Sequence, residues 1–406
     1  MKATCFILFF FLMLIASIAE TSATAFTGIG FLNHDGSSPS FARGISADGT
    51  TVVGMAINPL STSGGEAFYW TRETGIVGMG YSSEGEALLS AWGASGDGSR
   101  IAGQSTSHAF VADTHGLVTL IEDFPGGDGY HVAYDISNDG KTIVGMGTSE
   151  VGYQAFRQVD GGPLEPVGPL LSGSNPLSYA QAISGDGRVV VGGFTSNRAV
   201  PQTSAFRWTE QSGTEYLPYL HSNDINNWAG DISYDGKVIV GRTSPNGGGT
   251  GEATLWTENS VRGLGFLPGN YQDSYAHAVS GDGSIVVGSS RTSDIWSPNG
   301  QWIGLEAFIW TEQQGMRPLK EVLSIDYGLS NVLDGWVLSD VTGISKDGTI
   351  LTGNGIHFGI EEAWYADLSA NSLPFDTEVP EPASLSLLLT GFAAFRLKHR
   401  RYSKYF

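Results

Sequence analysis

Cysteine is almost missing from this chain: there is one in 406 residues, Cys5. A disulfide framework and a thiol nucleophile in the body of the protein are thereby excluded. Cations are scarce as well, with 21 Lys and Arg against 41 Asp and Glu and a formal net charge of −20. Such a surface cannot replace phosphate counterions, so nucleic acid is excluded as a partner. Charged residues of both signs reach only 15%, against about 25% in ordinary soluble domains, which leaves little material for long surface helices. No G-x-S-x-G or H-E-x-x-H occurs, and His34, His108, His115, His131, His221, His277 and His357 are scattered without an i,i+4 pair. The reading therefore expects no metal, no cofactor and no catalytic residues.

What is abundant is glycine, 57 residues, alongside 41% hydrophobic and 11% aromatic residues. Many turns between many short strands suit that mixture, and disorder does not. The two ends carry addresses. Residues 1–25 place Lys2 before an apolar run from Phe6 to Ile15 and finish on Ala23-Thr24-Ala25, the pattern of a secretory signal peptide cut before Phe26. Cys5 lies within it. At the other end a polar linker, 369–378, leads to the segment 379–406. There Pro380-Glu381-Pro382 precedes an uncharged stretch from Ala383 to Phe395 and the basic run Arg396-Leu397-Lys398-His399-Arg400-Arg401. The stretch is 13 residues long, short against the roughly 20 of a stable span. This order resembles the PEP-CTERM sorting signal of exopolysaccharide-producing bacteria. The resemblance implies an exosortase-type processing enzyme as partner, transient anchoring in the inner membrane, and a final place outside the cell or on its surface.

Between the ends, Ser-x-Asp-Gly occurs seven times, with aspartates Asp48, Asp97, Asp139, Asp186, Asp235, Asp282 and Asp347 spaced 49, 42, 47, 49, 47 and 65 apart. Six residues after each stands a glycine, from Gly54 to Gly353. Each unit divides into four strands. The first precedes the turn, as in Phe41–Ile45, Tyr179–Ile183 and Tyr275–Val279; the second follows it. The third is an Ala-Phe-x-Trp-Thr segment such as Ala67–Thr71, and the fourth a Leu-Gly type strand, clearest at Gly263–Leu267. Four strands every 42–49 residues predict an all-β, seven-bladed β-propeller over 26–368. The last unit lacks its fourth strand, and Thr27–Leu32 is predicted to supply it against Ala363–Leu368, closing the ring and removing an open edge. An insert, Lys320–Ser339, opens with a short helical stretch. An open β-solenoid is the rival architecture.

His108-Ala109-Phe110 and its relatives Glu66-Ala67-Phe68, Ser204-Ala205-Phe206 and Glu306-Ala307-Phe308 resemble the repeats of the HAF-repeat family of extracellular repeat proteins. That family carries no established catalytic residues, so the resemblance implies location and fold and no chemistry.

The seven aspartates read as turn-forming residues, because a calcium loop needs several oxygens at alternating positions and each copy has one acid. The spacing also departs from the sialidase Asp-box. Gly126-Gly127-Asp128-Gly129 lacks the following helix that a phosphate cradle needs. Ligand candidates are aromatic. Phe41, Tyr179, Trp228 and Tyr275 stand five residues before their serines, and Trp296 and Trp302 fall in the long loop Arg291–Leu305. If the first strand is innermost, the first four rim one face, or else fill the core between blades. The expectation is a secreted or cell-surface, non-catalytic protein that binds extracellular polysaccharide or a surface protein. The alternative is an extracellular propeller enzyme, a polysaccharide lyase or hydrolase. Convergent His, Arg and Asp at the axis favour the enzyme; an aromatic-rimmed, otherwise bland face favours binding.

Overall fold

The computed structural model describes residues 25–33, 38–59, 64–127, 129–169, 177–195, 203–245, 250–294 and 304–369. Trp296, Trp302, His34, most of the signal segment and the whole sorting segment with Pro380, Glu381 and Pro382 lie outside them. Among the described residues, no helix is long and apolar enough to cross a membrane.

Antiparallel meanders account for nearly all of the structure. The first unit runs Ser40–Ile45, Thr51–Ile57, Gly65–Thr71 and Gly75–Gly78, each strand paired with the next. Five sheets have four strands each, and a single parallel pairing, Tyr153 with Leu177, joins two further four-stranded parts into a larger one. Counted as sheets there are six; counted as four-stranded units there are seven. The arrangement is that of a β-propeller. The helix Leu319–Ile325 opens the insert.

Each Ser-x-Asp-Gly turn is built by its own side chains. In the fourth unit Ser184 Oγ donates to Asp186 Oδ1 at 2.7 Å, the Arg188 N–H donates to the same oxygen at 3.1 Å, and the Val189 N–H donates to Ser184 Oγ at 3.0 Å. The Ser-to-Asp bond recurs in all seven copies. Gly187 sits at φ 76°, in the left-handed region where a side chain is strained.

These turns also meet one another. The backbone N–H of the residue after the serine donates to the carbonyl of its counterpart in the next unit: Gly96 to Asn138 at 2.9 Å, Asn138 to Gly185 at 3.1 Å, Tyr234 to Gly281 at 3.1 Å, Gly281 to Lys346 at 2.9 Å. Lys346 then donates to Ala47 at 2.8 Å, joining the last unit to the first. Asp48 to Gly96, at 3.0 Å, continues the circuit. Between Gly185 and Tyr234 the tyrosine ring itself covers the glycine.

The N-terminal strand joins the last sheet, two residues earlier than expected. Ala25–Gly28, rather than Thr27–Leu32, pairs with Asp367 back to Trp364. Phe26 decides that register, lying 5.3 Å edge-on to Trp336 and 5.7 Å from Trp364. Ile29 follows the strand into the core shared by Ala42, Val52 and Phe68 of the first unit and Ala363 and Tyr365 of the last. The expected fourth strand Gly263–Leu267 is likewise displaced. Ser260–Gly263 pairs with Thr254–Thr257, and Leu264 and Leu267 instead turn into the core beside Phe308. The third-strand phenylalanines Phe68, Phe110, Phe156, Phe206 and Phe308 are fully buried, and truncating any one to alanine costs about 3–5 kcal/mol.

Candidate functional site

All seven first strands carry a β-bulge at the same place. Ala42 pairs with Gly54 and Gly44 with Val53, leaving Arg43 without an opposite number. The same shift leaves Trp92, Tyr134 and Gln181 unpaired in the next three units, and Gly230, His277 and Thr342 in the last three. The repeated glycine six residues after each aspartate is the counterpart of the bulge. A Cβ on Gly192 would collide with the Tyr179 carbonyl, and one on Gly288 with that of Tyr275. Those glycines answer close approach rather than positive φ. A bulge re-aims a side chain, and here all seven unpaired residues line one cavity of about 430 Å³. Gly230 borders it through its backbone and leaves room for Trp228, whose Cη2 lies 2.7 Å from where a Cβ would be.

Two arcs of rings start from the residues that line this channel. In one, the Arg43 guanidinium lies 4.6 Å over Trp92, which meets Tyr134 edge-on at 5.5 Å. In the other, Trp228 meets His277 at 6.4 Å, and His277 stacks on Tyr275 at 6.0 Å beneath Arg242. Burial holds His277 down to about 4, so the ring is neutral at neutral pH, and its Nε2 lies 3.0 Å from Ser289 Oγ. Burial likewise pushes the Tyr134 hydroxyl up to about 12.

The acids in the wall serve the framework. Asp135 accepts the Ile136 and Ile183 N–H groups at 2.8 and 2.9 Å, and Asp231 accepts those of Ile232 and Val279 at 2.7 and 2.9 Å. Each thus ties its unit to the next. Burial raises both to about 7 against the opposing pull of those N–H donors. Asp340, raised to about 6 by burial, accepts the Asn354 N–H at 2.9 Å, and Asn354 in turn brackets the backbone of Ala42 in the first unit.

Of the candidates named from sequence, Trp228 lines the channel. Tyr275 touches it only through His277, while Phe41 and Tyr179 stay half-buried along the first strands and outside the lining. Tyr179 is packed against Gly193, and burial raises its hydroxyl. The bulged residues escaped the sequence reading. Their signal was there: two residues before the Ile, Val or Ala that precedes each serine, an otherwise regular repeat holds Arg, Trp, Tyr, Gln, Gly, His and Thr, seven different types. Among the described residues, no group of three His, Cys, Asp or Glu side chains is arranged to hold a metal.

No family model matches the chain, and no curated relative does. Solved structures do. An oligogalacturonate lyase from Vibrio parahaemolyticus is 12% identical over 85% of this chain and 97% of its own, with a TM-score of 0.52. An oligogalacturonate lyase in complex with manganese is 10% identical over 85% and 96%, with a TM-score of 0.51. TolB from Acinetobacter baumannii is 18% identical over 66% of this chain, with a TM-score of 0.43; the chain spans 62% of that structure. At such identities the likeness defines a fold, that of the β-propeller proteins.

Proposed function

We propose that this chain is a seven-bladed propeller, exported and displayed outside the cell, that binds a saccharide chain in its axial channel without transforming it. The observation that carries this reading is the set of bulged positions. The turns, glycines and alanines repeat from unit to unit, yet the one residue each unit turns toward the axis is different every time. A framework needs repetition; recognition of an asymmetric ligand needs difference. Flat rings at Trp92, Tyr134 and Trp228 offer faces for sugar rings, and Arg43, Gln181, His277 and Thr342 offer hydrogen bonds of distinct geometry, a mixture typical of ligand sites. Arg, His and Asp do converge here, as the enzyme alternative requires. Against catalysis stands the use of Asp135 and Asp231 as backbone clasps, both oxygens of each engaged. The export signal, the PEP-CTERM-like tail and the HAF-like repeats support a place at the cell surface.

A glycan array probed with the purified protein tests the reading. Polysaccharide hits that disappear in a Trp92→Ala/Tyr134→Ala variant of unchanged melting temperature are the expected result. Hits that survive in that variant would remove the channel from the account.

A further inference from the structure

We infer that the axial channel takes an acidic saccharide, one whose rings carry carboxylates, and that Arg43 is the residue that recognises the acid; this rests on the channel being a saccharide site. In so acidic a chain the arginines find acids easily. Arg72, Arg157, Arg188, Arg207, Arg242 and Arg262 each lie within ion-pair distance of a carboxylate, as do Arg291 and Arg317, and Arg100 donates to the Gly140 carbonyl. Arg43 is the exception among the described residues. Its guanidinium rests on the Trp92 ring, with neither hydrogen bond nor ion pair.

Asp340 interacts with it only at longer range and spends an oxygen on the Asn354 N–H. A second lining cation, Lys346, is in the same condition. Its Nζ sits 3.5 Å over the Tyr234 ring and, among the described residues, pairs with no carboxylate. Among the described residues, neither cation spends a hydrogen-bond donor on the protein. An arginine fork matches a carboxylate in shape, and the ring beneath it holds the plane in place. Neighbouring Trp92 and Tyr134 provide the surface for the sugar ring that bears the acid.

Isothermal titration of the full chain with a uronic-acid trisaccharide and with the neutral trisaccharide of the same linkage tests this. The acidic sugar is expected to bind about ten- to a hundredfold more tightly, with the preference shrinking in added salt. Arg43→Gln should abolish the preference, bringing the acidic and neutral sugars to equal affinity, and Arg43→Lys should restore part of it. Equal affinities for the two sugars, or a preference unchanged in Arg43→Gln, would overturn the inference while the saccharide reading stands. Binding of sodium sulfate or acetate as tight as that of the acidic trisaccharide would also overturn it, because the sugar would then contribute nothing. Failure of both sugars to bind would overturn the saccharide reading and this inference with it.

Discussion

Within a single turn, glycine and aspartate do different work, and mutation separates them. Gly187 and Gly236, at φ 76° and 72°, cannot become valine without strain, so either change should cost on the order of 1–3 kcal/mol in thermal or denaturant unfolding. Asp186→Asn keeps an acceptor for the Ser184 hydroxyl and the Arg188 N–H and should cost much less. A calcium-dependent rise in melting temperature that Asp186→Asn abolishes would instead make the aspartates ligands.

The titrating residues also set a pH profile. Hydrogen bonds from Ser99 hold Asp97 below its ordinary value, as the bond from Ser137 does for Asp139 and that from Lys237 for Asp235. Their stabilisation is present above that value and lost in acid. Asp135 and Asp231, raised to about 7, and Asp340, raised to about 6, act oppositely. The folded state holds their protons longer, so stability falls as pH rises from about 4 to about 7. His277, lowered to about 4, offsets one of the three. The melting temperature should therefore peak near about pH 4 and be lower at pH 8; a flat profile from 5 to 8 would contradict the buried state of these acids.

At the scale of strands, the bulge and its glycine form one device. Gly192→Ala sets a methyl against the Tyr179 carbonyl, backbone against side chain with no rotamer to escape into. It should cost roughly 1–3 kcal/mol and shift the amide resonances around Gln181 more than those of distant units, an outcome that NMR or hydrogen exchange can read. The sequence made the turns and the first three strands of each unit legible, because Asp-Gly, alternation and the Ala-Phe pair are local signals. Fourth strands were misplaced because they are short and edge-facing, and their limits depend on packing. Leu264 and Leu267 looked like strand residues but serve the core of the neighbouring unit. The register of the N-terminal strand was set by Phe26 meeting Trp336 and Trp364, a contact across more than three hundred residues that no local pattern shows. The bulge was passed over for a different reason, since its only trace is a variable position inside a regular repeat. Its residues share a position without sharing a chemistry.

For the molecule as a whole, closure is the structural claim and the channel the functional one. Removing 26–33 takes away the fourth strand of the last sheet and the buried Phe26 and Ile29. The melting temperature should fall by roughly 5–15 °C, and an unchanged value would mean that the strand is not needed to close the ring. Both claims meet at the axis, where the turns of first and last units are bonded and the seven bulged residues face one another. The most direct test is a crystal structure of the protein with the saccharide it binds best. The account predicts sugar rings in the channel, against Trp92, Tyr134 and Trp228, with a polar group of the ligand on Arg43. Sugar bound only on the outer strands or loops, with the channel filled by water, would contradict it.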